Sequence, residues 1–301
     1  MFLVVGATGD LGGRIVRRLL ERGEPVRCMI RVQTNGTELE ALSAEIVRGD
    51  LSDDASLPSA CAGVTTVVAS ATAIGRRLTS SGGPSIKDVD EVGMAALIDA
   101  AEKSAVKRFV YVSYAGADLG LNTPLERAKV ATEKRLRSST MQVTVVRPDA
   151  FQEIHLAPIG RFDMHAGKVA VFGKGDTPRQ WVSTDHVAAL VADAAVAAAA
   201  PPLIEFGGPE AISRNEAIAV AERLTGRTMK VQRMPRSVAR LGMRLLDRPK
   251  DGLASVFGTG LLQDLVESRW DDAPLRERGI EPRSATAFLE EQARSTNSGD
   301  Q

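Results

Sequence analysis

The chain has 301 residues, 44% of them hydrophobic, and its Lys+Arg and Asp+Glu counts are both 38, so the formal net charge is zero. That length and apolar content suffice for one sizeable core, or for a nucleotide-sized domain with a smaller companion, and they argue against a chain dominated by disorder. A neutral chain offers no broad positive field to gather nucleic-acid phosphates.

The longest apolar stretch, Val187 to Ala200, is interrupted by Asp193 and stopped by Pro201-Pro202, short of the roughly 20 residues a membrane span needs. The apolar start Met1 to Val5 is too short for a signal-peptide core. A cytoplasmic protein with no nucleic-acid or membrane partner is the expectation. Cys28 and Cys61 have no metal-ligand spacing around them and read as reduced core thiols.

In chain order, short β-branched runs alternate with helical-period segments through the first half. Strands are expected at Phe2 to Val5, Val26 to Ile30, Glu45 to Val47, Thr66 to Ala69, Arg108 to Val112 and Gln142 to Val146. The helices between them carry apolar stripes, Leu11, Ile15 and Leu19 on the first and Val92, Ala96 and Ala100 on the one before Phe109. This is the pattern of an α/β fold, a doubly wound parallel Rossmann sheet of about six βα units over residues 1–150.

After Arg147-Pro148 the alternation stops. Residues 151–301 read as a small, mostly helical carboxyl-terminal substrate or cover region, with residues 175–206 packing back on the first domain. Short strands are expected near Val169 to Phe172 and Trp181 to Ser183. From Ser213 the text is mostly helical, with Ser213 and Glu216 as a capping box and Gly226 closing that helix. From about residue 292 the chain is polar and without period, so a frayed tail is expected.

The run Val5-Gly6-Ala7-Thr8-Gly9-Asp10-Leu11-Gly12 follows the first strand and opens the first helix. Glycine is needed where a strand turns sharply into a helix, where backbone must approach a diphosphate, and where helix packs closely on strand. The helix amino terminus adds unpaired N–H groups and a partial positive charge. Strand, loop and amphipathic helix occur in the order that dinucleotide binding requires, which favours a ligand site from Gly6 to Gly12 over a bare turn.

Further along are Gly49-Asp50-Leu51, Arg108-Phe109-Val110-Tyr111-Val112-Ser113, Lys129 with Glu133 downstream, Val146-Arg147-Pro148, and Val182-Ser183-Thr184-Asp185-His186-Val187-Ala188. With the glycine loop, these make the chain resemble the NmrA-like NAD(P)H-binding group of atypical short-chain dehydrogenase/reductases, which includes isoflavone-reductase-like enzymes. The resemblance implies a Rossmann domain with a small, variable carboxyl-terminal region, and it places Asp50 and Leu51 beside the adenine. Asp50 reads equally well as a cap for the following turn.

Arg31 directly follows the second strand, where an acidic residue would accept from the adenosine ribose and repel a 2′-phosphate. A guanidinium there can pair with that phosphate, so NADP(H) is favoured over NAD(H), with Arg14 as a helper. Ala69, Ser70 and Ala71 are small residues that would let the adenosine lie against the sheet edge; their size also suits packing alone.

Short-chain reductases carry Tyr and Lys at i and i+4, the ammonium lowering the phenol's pKa and binding the nicotinamide ribose. Here the pair reads Leu125 and Lys129, and leucine can neither give nor take a proton. Isoflavone-reductase-like enzymes resemble this pattern. Lys129 is the candidate ribose ligand, with a surface pair to Glu126 or Glu133 as the plain alternative. Ser113 and Tyr114 leave the carboxyl end of the fifth strand, so Tyr114 is a substitute proton donor and Ser113 a further site residue. Pro148 and Phe151 border the nicotinamide pocket. His155, His165 and His186 lack metal-ligand context and read as structural or pocket-lining, and no metal motif is visible.

Two functions remain. One is an NADPH-dependent oxidoreductase acting on a small hydrophobic acceptor such as a quinone or enone. The other is a non-catalytic NADP(H)-sensing regulatory or assembly protein, for which an exposed apolar patch around Met234 to Leu246 would serve a protein partner.

Overall fold

The structure, a computed structural model, describes residues 1–79 and 82–297. The first half alternates as the periodicity requires: β1 (Phe2–Val5), α1 (Asp10–Glu21), β2 (Val26–Ile30), α2 (Thr37–Ala41), β3 (Glu45–Arg48), α3 (Leu57–Cys61), β4 (Thr66–Ala69), α4 (Ile74–Thr79), α5 (Met94–Lys103), β5 (Arg108–Val112), α6 (Pro124–Arg137) and β6 (Gln142–Pro148). Next come α7 (Gln152–His155), β7 (Phe162–Asp163), β8 (Lys168–Phe172), α8 (Thr184–Val196) and β9 (Leu203–Phe206). The chain closes with α9 (Arg214–Thr225), β10 (Lys230–Met234), α10 (Arg236–Leu246), α11 (Asp251–Leu265), α12 (Ala273–Arg276) and α13 (Ala285–Asn297).

The main sheet has seven parallel strands in the order β3-β2-β1-β4-β5-β6-β9. Its strands are apolar on both faces because helices cover both. Alternation sends Val4, Val110 and Val146 into a core with Ile15, Leu19, Val187 and Leu190 of α1 and α8. It sends Leu3, Val67 and Phe109 the other way, against Leu57, Leu97 and Ala128 of α3, α5 and α6. Cys28 and Cys61 are buried free thiols, and burial pushes them up to about 12 and about 11.

Strand order reverses between β1 and β4, so the loops that leave these strands part and open a crevice at the carboxyl edge. The three-stranded sheet β10-β8-β7 lies in the second half of the chain. A separate core of Phe162, Val171, Trp181, Ile218, Phe288 and Leu289 supports it.

Several expectations need correction. Residues 87–93 form a wide π turn that runs into α5. This shifts the helical register. Val92 is consequently 51% exposed, and the buried stripe is Met94, Leu97, Ile98, Ala100 and Ala101, so that of the expected Val92, Ala96 and Ala100 only Ala100 is fully buried and Ala96 is half-buried. The strand expected at Trp181 to Ser183 reduces to a single bridge between Phe151 and Val182. β9 and β10 interrupt segments read as non-strand or helical; β10 escapes the pattern because its residues are exposed or half-buried, with no clean alternation. The capping box of Ser213 and Glu216 forms, and Gly226 closes α9 in the left-handed region with φ +65. α13 runs to Asn297, and residues 298–301, the end of the expected tail, lie outside the described residues.

His155 packs against Trp181, with ring centroids 6.0 Å apart, and its Nδ1 is 3.2 Å from Gln263 Nε2. Burial, reinforced by the Arg214 and Arg179 cations, lowers its pKa from 6.5 to about 3. The unfolded chain therefore takes up a proton below pH 6.5 that the folded protein refuses. Stability from this group is complete above 6.5 and drains away as pH falls toward 3. Between pH 7 and pH 5 the loss amounts to about 1–2 kcal/mol, and His155→Gln is expected to remove that part of the slope. Equal pH dependence of chemical denaturation in the variant and the parent would contradict this.

Candidate functional site

The glycine loop sits where the loops leaving β1 and β4 meet. Gly6 has φ +99, and a Cβ built on it would lie 2.7 Å from the Ala71 nitrogen. A Cβ on Gly12 would lie 2.0 Å from the Gly6 carbonyl oxygen. Both glycines are thus required by the fold itself. Gly9 is different: its φ of −81 suits any residue, and its Cβ would meet only the Gly6 oxygen, at 3.4 Å. The space in front of Gly9 is open.

α1 starts at Asp10 with no side-chain cap. Gly9 N–H donates to Gly6 and Gly13 N–H to Gly9. Among the described residues, the N–H groups of Asp10, Leu11 and Gly12 find no acceptor, as expected in a first turn. A cavity of about 380 Å³ adjoins them, with Gly9, Asp10, Gly13 and Arg17 on one wall and Asn35 and Glu38 on the other. That size suits part of a small-molecule ligand. Unpaired donors, a bare glycine and an adjoining cavity fit a diphosphate and its adenosine.

Arg31 lies exposed just past the end of β2, and among the described residues its guanidinium has no hydrogen-bond or ion-pair partner. Arg48 holds this loop by donating to the carbonyls of Arg31 (3.0 Å) and Thr34 (2.7 Å). Arg14 is engaged by Asp10 at 2.9 Å and Asp185 at 3.6 Å, which draws it toward α8. Arg17, one helical turn beyond Gly13, is the cation on the cavity wall. The i, i+4 spacing of Gly13 and Arg17 is the signal in the sequence that could have found it.

Asp50 Oδ1 accepts from Ser52 N–H (2.9 Å) and Oγ–H (2.8 Å), forming the turn cap that was one of its two readings. Leu51 is buried, and its carbonyl would touch a Cβ on Gly93 at 2.0 Å. Ala69 is buried, whereas Ser70 and Ala71 are half-buried beside Gly6.

At the other end of the crevice Lys129 is buried, contrary to a solvated surface pair. Its Nζ donates to the Val112 carbonyl at 2.9 Å and lies 4.7 Å from the Tyr111 ring centroid. Burial lowers its pKa, against the opposing pull of the buried Asp90 and Glu133. Ser113, next along the chain, is 6% exposed, and its Oγ has no hydrogen-bond partner. Asp90, on the π turn, accepts from Ala73 N–H at 2.8 Å through Oδ2, while Oδ1 is unpartnered. Asp90 was not singled out in the sequence, because a π turn leaves no mark in the periodicity.

α6 begins with a capping box of Thr123 and Glu126 and Pro124 at its first turn. The Leu125 N–H is accepted by Ser255 Oγ of α11 at 3.2 Å. Tyr114 is half-buried in a crevice with Gly116, Thr123, Gly258 and Leu262 that is too narrow for a water molecule. Burial pushes its hydroxyl pKa up, and nearby Glu126 and Glu133 add to that. Pro148 is buried, its carbonyl accepting from Ala115 N–H, and Phe151 is half-buried at the start of α7.

A model of an NAD(P)H-binding family matches residues 6–198, which include the glycine loop, Lys129 and α8. The chain belongs to this NAD(P)H-binding family. A solved isoflavone reductase superposes with a TM-score of 0.70 at 17% identity, over 97% of this chain and 98% of that one, a likeness of fold.

Among curated relatives, an Arabidopsis thaliana chloroplastic protein named for a high chlorophyll fluorescence phenotype is 32% identical; the match covers 81% of this chain but only 60% of that protein's length. The photosystem II assembly factor Ycf39 of a Synechocystis strain is 30% identical, with 95% of this chain and 87% of the relative covered. Among solved structures, an NADPH-dependent quinone oxidoreductase of Escherichia coli in complex with NADPH superposes with a TM-score of 0.72 at 21% identity, over 99% of this chain and 100% of that one. That likeness concerns the fold.

The two kinds of glycine predict different failures. Gly9→Ala is expected to melt with the parent yet bind NADPH roughly tenfold or more weakly, since a methyl group would occupy the open space before the donors. Gly12→Ala is expected to lower the melting temperature outright. Unchanged NADPH affinity in Gly9→Ala, measured by calorimetry, would count against this site.

Proposed function

We propose that the protein is an NADPH-dependent oxidoreductase acting on a small hydrophobic acceptor such as a quinone or enone. The observation that carries this reading is the buried Lys129, held at the carboxyl end of β5 beside a Ser113 hydroxyl that has no protein partner. Polar groups buried at such an edge without partners favour a ligand that supplies them.

When bound, the cofactor would supply a hydride. The chain's own residues would do the rest. Asp10, Leu11 and Gly12 would bind the diphosphate through their N–H groups, with Gly6, Ala7, Thr8 and Gly9 shaping the loop. Asp50, Leu51, Ala69, Ser70 and Ala71 would border the adenosine. Lys129 and Ser113 would orient the nicotinamide ribose, and Pro148 and Phe151 would wall the nicotinamide pocket.

Leu125 provides no proton, and burial raises the pKa of the Tyr114 hydroxyl. An acceptor whose reduced form is stabilised by delocalisation needs little acid catalysis. Water is then a sufficient proton source, with Tyr114 as the nearest protein alternative. The unpaired Arg31, with Arg17 on the cavity wall, supports a preference for NADP(H) over NAD(H) through pairing with the 2′-phosphate.

A second reading, an NADP(H)-sensing regulatory or assembly protein, draws on Leu125 and on exposed apolar side chains along α10. The Synechocystis relative's name as an assembly factor adds to it.

Purified protein should consume NADPH, followed by its absorbance, with at least one member of a quinone and enone panel. Lys129→Ala should cut kcat/KM by roughly tenfold or more. Arg31→Glu should weaken NADPH binding and spare NADH. Tight NADPH binding without consumption across the panel would replace the reductase with the sensor, and unaltered NADPH affinity in Arg31→Glu would remove that residue from specificity.

A further inference from the structure

α10 has one face that the fold does not use. Ala239 is buried, and a Cβ on Gly242 would lie 2.4 Å from the Phe257 ring of α11, so that side is committed to the core. On another side Val238, Leu241 and Leu245 are 51%, 57% and 66% exposed. Their i, i+3, i+7 spacing makes them one line along a helix about 16 Å long. Scattered exposed leucines are ordinary on a protein surface, but three in a row on one helix are not.

The charges beside that line all have one sign. The segment Arg236–Leu246 contains no acidic residue. Arg236 is paired with Asp264 at 2.5 Å, and Asp247 with Arg127 at 2.9 Å. The exposed Arg240, Arg244, Arg248 and Lys250 have no ion-pair or side-chain hydrogen-bond partner among the described residues. In a chain of zero formal net charge this is a strongly uneven placement.

We propose that this face of α10 docks the protein onto an anionic lipid surface. A line of aliphatic side chains with arginines beside it, on a helix anchored to α11 through its Ala239 and Gly242 side, matches an interfacial helix: the apolar tips enter the acyl boundary while the guanidinium groups reach the headgroup phosphates. A protein partner fits less well. The stripe holds no aromatic anchor, and anchors of that kind dominate protein interfaces. The stripe uses none of the residues assigned to the dinucleotide, so docking does not depend on whether the cofactor is turned over.

The test is cosedimentation of the full chain with vesicles of equimolar phosphatidylglycerol and phosphatidylcholine, set against vesicles of phosphatidylcholine alone. The anionic vesicles should retain the protein, and high salt should weaken the binding. Arg240→Glu/Arg244→Glu should reduce it roughly tenfold or more. Leu241→Ser/Leu245→Ser should reduce it as well, and thermal melts of both variants should match the parent because these side chains are exposed. Equal partitioning onto the two kinds of vesicle would overturn the proposal, as would wild-type binding by the charge-reversed protein. Retention on immobilised polyglutamate without vesicle binding would overturn it in favour of an acidic protein partner.

Discussion

The backbone at Gly6 passes so close to that at Ala71 that no side chain fits between them, and much of the site depends on this approach. It joins the loop leaving β1 to the loop leaving β4 at the point where strand order reverses. The same loop brings Gly12 against the Gly6 carbonyl, so α1 starts with its first N–H groups aimed out of the sheet edge. Lengthening either contact by a methyl group would tilt α1 away from β1 and remove the convergence of donors that makes the crevice a binding site.

The carboxyl-terminal elements are tied to this edge by charge as well as by packing. Buried Asp149, just past β6, pairs with buried Arg179 and accepts from Ser268 Oγ at 2.6 Å. Asp251 at the start of α11 accepts from Arg77 at 2.6 Å and from Ile86 N–H at 2.7 Å. These pairs are well hydrogen-bonded, which offsets much of the cost of burying them, and the Arg77–Asp251 pair ties α11 to α4. Gly258 lets α11 settle against Thr123, and Ser255 takes the Leu125 N–H, so the position that lacks the tyrosine is covered by this helix.

The sheet is legible in the sequence because parallel strands buried on both faces appear as short apolar runs between amphipathic helices; the bounds of β1, β2, β4 and β5 match the expected ones residue for residue. The glycine loop is legible because its glycines answer to backbone geometry. What is not legible depends on tertiary context. The π turn before α5 moves Val92 from the expected core to the surface, and no local pattern announces it. Arg14 and Arg17 look equivalent on α1, yet Asp185, far away in sequence, takes the first and leaves the second on the cavity wall. Lys129 reads as either a ligand or a surface residue until its burial beneath β5 is known. α10 is identifiable as an amphipathic segment, whereas which of its apolar faces stays exposed depends on where α11 packs.

The most direct test of the account is amide hydrogen exchange of the intact chain with and without saturating NADPH. The N–H groups of Asp10, Leu11 and Gly12, unpaired in the structure, should exchange markedly more slowly in the presence of NADPH, whereas the Ser113 N–H, already donated to the Val146 carbonyl, should change little. Saturating NADPH that leaves Asp10 to Gly12 unchanged would contradict the placement of the dinucleotide.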